Sequence, residues 1–213
     1  MKGRRAARLS VLARIQLGLE ALYRVETQLA IDAFVIDETE RDATSPTRAP
    51  REQLLVKQET DALALALFVD AAALANLERH DPSVALHEGN FADFCLAVEG
   101  VSHFVYVALC AARDRTVSAL ELELQAEVDK FACCRLVSGA DPHLRRRLYG
   151  GALAEDLDDD ERERYWTANH EARRYAGALE RRFAERPAEL LGELRAFYRL
   201  GLADKLSRIA ALA

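Results

Sequence analysis

Glu99 and His103 interrupt the most apolar stretch of this chain. From Asn90 to Arg113 the sequence carries Phe91, Phe94, Leu96, Val98, Val101, Phe104, Val105, Val107 and Leu109, and among them sit Glu99 and His103. The two are four residues apart, so a helix puts them on one face, a turn from each other. A carboxylate or imidazole in apolar surroundings is costly unless it is paired. The following segment offers partners. If the two segments fold back as an antiparallel helical hairpin about residues 112–116, His103 falls opposite the Glu127 region and Glu99 opposite Lys130 and Phe131. Glu123 and Glu127 are again a helical turn apart. One chemistry this could support is a divalent metal held by Glu99, His103, Glu123 and Glu127. Another is acid/base catalysis, with His103 as base, Glu127 as its partner and Glu99 as the acid. The third reading is a buried ion-pair network that orients two helices. Di-iron bundles carry Glu-x-x-His twice, whereas Glu-x-x-x-His stands here once, and the zinc-protease pattern is absent. That spacing favours the structural reading.

Other constellations are weaker. Ser102 adjoins His103, but neighbours on a helix point about 100° apart, and no Gly-x-Ser-x-Gly elbow is present. The acidic run Glu155, Asp156, Asp158, Asp159, Asp160, Glu161 fails the calcium-loop test. With Asp156 first, Glu161 occupies the glycine position and Thr167 the position of the bidentate Glu. These carboxylates instead suit the positive start of a helix. Arginines cluster at 145–147, 173–174 and 181–182, with Tyr149, Tyr165, Trp166 and Tyr175 among them. Glu161, Glu163, Glu171, Glu180 and Glu185 are interleaved, which points to ion pairs along a wet helix face and away from nucleic acid. His170 has no partner by sequence. Four cysteines without a CxxC make neither a zinc site nor a disulfide scaffold, and read as free thiols. Glycine-rich phosphate loops are absent.

The elements that must position these residues follow from periodicity. Residues 4–22 place Leu9, Leu12, Ile15, Leu19 and Leu22 on one helical face. Residues 25–36 alternate with period two, which predicts a strand. Residues 37–51, with Pro46 and Pro50, predict a loop. Residues 53–59 and 62–69 predict a hairpin with a tight turn at Thr60 and Asp61, although the Ala and Leu of the second half also suit a helix. Asp70 predicts an N-cap for a short helix to Arg79. Residues 90–113 predict a buried helix, and Ser118 with Glu121 a capping box for the next, to about Leu136. Beyond Leu144 the chain is helical and more charged. The fold class is therefore α+β: a small three-stranded antiparallel sheet near the N-terminus, a helical majority and an all-helical C-terminal part. Two regions are expected, an α+β core over 1–138 and a charged helical region over 139–213 packed on it.

With 213 residues, half of them hydrophobic, the chain can bury a core, and a net charge of -6 argues against general binding of phosphate backbones. Neither a secretion signal nor an apolar run of about 18 residues is expected, so the protein is placed in a bacterial-type cytoplasm without membrane contact. The order of helix (4–22), three strands (25–36, 53–59, 62–69) and short helix (71–79) resembles the opening of type III secretion chaperones, small acidic cytoplasmic dimers that hold a partner chain in extended form. The resemblance covers about a third of the chain and rests on topology and charge, not on a motif, and the long helical remainder departs from it. The resulting expectation is a non-enzymatic protein-binding chain, adaptor or chaperone-like, that binds a partner or itself through a strand edge at Leu54, Val56 and Gln58, without cofactor. The alternative is a metal-assisted or acid/base enzyme centred on Glu99, His103 and Glu127.

Overall fold

The computed structural model describes residues 9–44, 50–58, 63–151 and 157–213. Helix α1 (Val11–Tyr23) starts where the Ser10 hydroxyl accepts the Ala13 N–H. Its Leu12, Ile15, Leu19 and Leu22 are buried, as their spacing predicts. Arg24 ends it in the left-handed region, at φ 53°.

The alternating segment 25–36 does not form the expected strand. Its first half has no regular structure, Ile31–Ala33 makes one 3-10 turn, and only Val35–Ile36 (β1) joins a sheet. Side chains of α1 replace the ladder. Gln16 donates to the Leu29 carbonyl (2.6 Å) and accepts the Ile31 N–H (3.0 Å), while Glu20 accepts the Thr27 N–H (3.1 Å). A backbone satisfied in this way has no call on a neighbouring strand.

The expected loop at 37–51 holds a helix, α2 (Glu38–Thr44). It is started by a reciprocal cap: the Glu40 N–H donates to Asp37 (2.9 Å) and the Asp37 N–H to Glu40 (3.1 Å). Pro46 lies outside the described residues.

Strands β2 (Glu52–Gln58) and β3 (Leu63–Val69) pair antiparallel, with Leu54 opposite Leu67 and Val56 opposite Leu65. The second is a strand and not the rival helix. The expected turn at Thr60 and Asp61 lies outside the described residues. β1 pairs with β3 in parallel, Val35 opposite Leu67, so the sheet is mixed rather than purely antiparallel. Its order is β1-β3-β2, which leaves β2 at an edge. The resemblance to type III secretion chaperones thus fails at its first strand.

Asp70 caps α3 (Ala71–Arg79), accepting the Ala73 N–H at 2.8 Å. His87 and Asn90 cap α4 (Glu88–Ala111), the centre of the molecule. Contrary to the expectation above, α4 is long and apolar enough to cross a membrane, but 78% of its apolar window is buried inside the protein. It packs against α1, α3, β2 and β3. The closest approach is at Gly100. A Cβ there would stand 3.0 Å from Cγ of Glu52 and 3.1 Å from Cδ1 of Leu67.

Helix α5 (Ala119–Ser138) returns antiparallel to α4. Ser118 accepts the Glu121 N–H (3.2 Å), but only half of the expected capping box forms. The Glu121 carboxylate turns instead to Arg115 and Tyr106, both at 2.6 Å. Then follow α6 (Leu144–Tyr149), α7 (Asp159–Phe183), α8 (Pro187–Tyr198) and α9 (Leu202–Leu212). Asp158 and Glu161 cap α7, and Glu155 and Asp156 lie outside the described residues. α7 runs along α5. α8 reaches back to the start of the chain: Arg195 and Arg199 donate to the carbonyls of Leu22 and Tyr23 (2.7 and 3.0 Å), meeting the open end of α1.

The tight seat at Gly100 gives a first expected outcome. Alanine would improve helix propensity by about 1 kcal/mol. The added methyl must displace Leu67 and a Glu52 side chain that is itself held, an overpacking cost of about 1–3 kcal/mol. Gly100→Ala should therefore lower the urea midpoint. A raised midpoint would show that the sheet yields freely at this point.

Candidate functional site

The helical hairpin brings the predicted residues into one buried region but pairs them differently. Glu99 meets Lys130 as expected, with the ammonium donating at 2.9 Å. The same ammonium donates to Glu127, one turn earlier on α5, at 2.8 Å. His103 sits a turn nearer the hairpin loop than expected. Its Nε2 faces Glu123 at 3.6 Å, and its Nδ1 faces Glu52 of β2, also at 3.6 Å. Arg164 of α7 stands 3.9 Å from Glu123 and closes the cluster. Glu52 and Arg164 were not anticipated. Glu52 could have been found from the phase of β2, since 52, 54, 56 and 58 share the face that meets α4.

The electrostatics of this cluster decide what it can do. Burial alone would lower the His103 pKa, but the carboxylates of Glu123 and Glu52 outweigh burial and hold it well above the ordinary histidine value. Lys130 behaves alike: burial pulls it down, while Glu127 and Glu99 lift it well above the usual ammonium value. Burial raises Glu52 despite His103. Glu99 and Glu127 share one lysine and diverge. Lys130 and His103 overcome burial and lower Glu99, whereas at Glu127 burial wins and raises it. Geometry supports that split, because one Glu127 oxygen, Oε2, is buried without a hydrogen bond. At 3.6 Å these contacts are charge pairings and not hydrogen bonds, and His103 Nε2 and Glu52 Oε1 are buried without a hydrogen-bond partner. Among the described residues, no three His, Cys, Asp or Glu side chains are placed to hold a metal ion. As folded, the cluster is a charge-paired clamp joining β2, α4, α5 and α7.

A second buried network lies on the other side of the hairpin, and sequence reasoning missed it. Asp129 of α5 is its centre. It accepts from Ser102 of α4 (2.6 Å), from Gln125 (2.7 Å) and from the Tyr23 hydroxyl at the end of α1. Ser102 is thus committed to a carboxylate and is no nucleophile for His103. The Gln125 amide bridges onward, its oxygen accepting from Lys205 of α9 at 2.7 Å. Lys205 also donates to Tyr106 of α4 (2.6 Å), whose hydroxyl donates to Glu121. Arg115 completes the chain near the surface, bonding both Tyr106 (2.8 Å) and Glu121. Burial raises the Asp129 carboxyl to about 6 against the pull of its donors. Burial likewise lowers Lys205 to about 7, although Glu121 and Asp129 favour its charged form. A signal was present for Lys205. It falls on the stripe of Leu202, Lys205, Ile209 and Leu212, where a lone charge among apolar residues demands a buried partner.

The third predicted site is the strand edge. Leu54 is half-buried against the core, while Val56, Lys57 and Gln58 are exposed. Val56, Gln58 and Leu63 line one wall of a cavity of about 890 Å³, with Val107, Val117 and Leu122 opposite. The sheet and the C-terminal end of α4 diverge here, after the close contact at Gly100. No protein-family model, curated protein or solved structure matches this chain.

The second network predicts a pH dependence with a definite sign. Lys205 has a folded value near 7, below the value of about 10.4 in an unfolded chain. Between those limits the unfolded chain holds a proton that the native state lacks, so this group makes stability rise with pH. Lys205→Met removes the titration. The wild type should gain on the variant by about 1.4 kcal/mol for each pH unit between pH ~7 and ~10, measured by urea unfolding. Parallel pH profiles of the two proteins would show that Lys205 is charged in the fold.

Proposed function

We propose that this chain is a protein-binding module that takes an extended segment of a partner along β2. The observation that carries the reading is the edge position of β2, beside a cavity in which apolar side chains such as Val56, Leu63, Val107 and Val117 alternate with polar ones such as Gln58, Asp114 and Arg115. In the order β1-β3-β2 this strand has one neighbour in the sheet among the described residues, which makes its outer side the candidate acceptor of a ladder. Added strands gain affinity from backbone hydrogen bonds and specificity from pockets for alternate side chains. The wedge at Val56, Gln58, Leu63 and Val107 is placed to take such side chains. Exposed Lys57 fits the role of a guard against indiscriminate pairing, since charge on an edge strand discourages aggregation. The two buried networks then serve as rigid support for that face. Self-association through the same edge is the homotypic form of this activity.

Selection of random extended peptides against the whole chain should enrich segments with alternating apolar residues. Bound peptide should slow amide exchange over residues 52–58. Val56→Pro removes a strand donor at an exposed position and should abolish binding while leaving the circular dichroism of the helices intact. Failure to enrich any such peptide, or binding that persists in Val56→Pro, would contradict the reading.

A further inference from the structure

One face of α7 was expected to be a solvated row of ion pairs, and for part of its length it is. Arg174 pairs with Glu171 (2.9 Å), and Arg145 of α6 pairs with Glu180 (2.5 Å). The face also holds positive charge in excess. Among the described residues Arg173 and Arg181 have no carboxylate partner; Arg181 donates only to the Ala213 carbonyl, at 3.4 Å. His170, Arg173, Arg174, Gly177 and Arg181 follow one another at helical spacing and, with Arg145 and Ala213, line a cavity of about 420 Å³; among the described residues no acidic side chain lines it.

Gly177 is the floor of this cavity. A Cβ there would lie 3.0 Å from Nη1 of Arg145 and 3.3 Å from Nη1 of Arg181. Two guanidinium nitrogens from different helices therefore stand no more than about 6.3 Å apart over a bare backbone. Arg145 spends its Nε on Glu180, but its Nη1 and that of Arg181 still face each other over Gly177, and an anion between them would accept two charge-assisted hydrogen bonds. Arginine matches phosphate oxygens in geometry as well as charge.

The other end of the face is aromatic. Trp166 is 59% exposed, and its ring stacks on His170 with centroids 5.0 Å apart and planes at 12°. An exposed tryptophan held flat in this way is a platform for another planar ring. From the Trp166 and His170 pair to Gly177 the helix rises about 16 to 10 Å, a span an extended nucleoside diphosphate covers once the arginine side chains reach toward it.

We propose that this face binds a small phosphorylated ligand with a planar ring, of the nucleotide class. The phosphates lie over Gly177 between Arg145, Arg173 and Arg181, and the ring lies at Trp166 and His170. The size of the cavity favours a small molecule over a nucleic-acid strand. So does charge: the start of the same helix carries Asp158, Asp159, Asp160 and Glu161, which would repel an extended polyanion, and the chain is net acidic at -6.

The chain has a single tryptophan, so intrinsic emission reports on this face alone. Titration of the whole protein with ADP at low salt should quench Trp166, and adenosine should not do so at the same concentrations. Arg173→Ala/Arg181→Ala changes two exposed residues and should weaken ADP binding by at least about tenfold, the loss of roughly one charge-assisted hydrogen bond. Absence of quenching up to about 1 mM ADP would overturn the proposal. So would equal affinity in the double variant, or equal affinity for adenosine. Quenching by single-stranded RNA at lower concentrations than ADP would assign the face to nucleic acid and overturn the small-ligand inference.

Discussion

A helix that is apolar on every side cannot also carry ionisable groups unless the rest of the fold meets them, and α4 carries several. Glu99, Ser102, His103 and Tyr106 all project from its buried length. Each would cost several kcal/mol if left unpaired in the interior. The chain answers with partners from three other elements: Lys130, Glu123 and Asp129 from α5, Glu52 from β2 and Lys205 from α9. Apolar packing alone would tolerate α5 sliding along α4, because methyl groups are not particular about their neighbours. The ionic contacts are particular. They fix which turn of α5 faces which turn of α4, and they tie the sheet and the last helix to the same register.

The local parts of this arrangement were legible in the sequence. The alternation in β3, the Asp70 cap, the buried character of α4 and the pairing of Glu99 with Lys130 all follow from residues near one another, or from one hairpin. The misses share a cause. Segment 25–36 alternates like a strand, but Gln16 and Glu20 of α1, 13 and 7 residues from the groups they bond, satisfy its backbone first. Asp37 and Glu40 spell a capping box, yet nearby prolines drew the eye to a loop. The partner of His103 was misplaced by one turn, because the loop from Ala112 to Ser118 sets a register that periodicity cannot count. Asp129 and Lys205 gain their meaning only when α9 is folded against the hairpin, where Gln125 joins them and its hydrogen bond with Lys205 spans 80 residues of sequence.

The division of labour in the molecule follows from this. Charge inside the protein joins helices and sheet through Lys130, His103 and Lys205. Charge and apolar surface outside it are less fully paired. Among the described residues the edge of β2 has one neighbour in the sheet, and the arginine face of α7 has more cations than carboxylates. Both are surface features supported by rigid elements, as binding sites commonly are.

The account stands most directly on the state of His103. Isotope-edited NMR of the imidazole across pH 5 to 8 reads that state without mutation. Two flanking carboxylates in a buried site should keep the ring doubly protonated through this whole range, where a free histidine would lose its proton near 6.5. A ring that is neutral at pH 7 would contradict the ionic clamp and return His103 to the candidates for a base or a metal ligand.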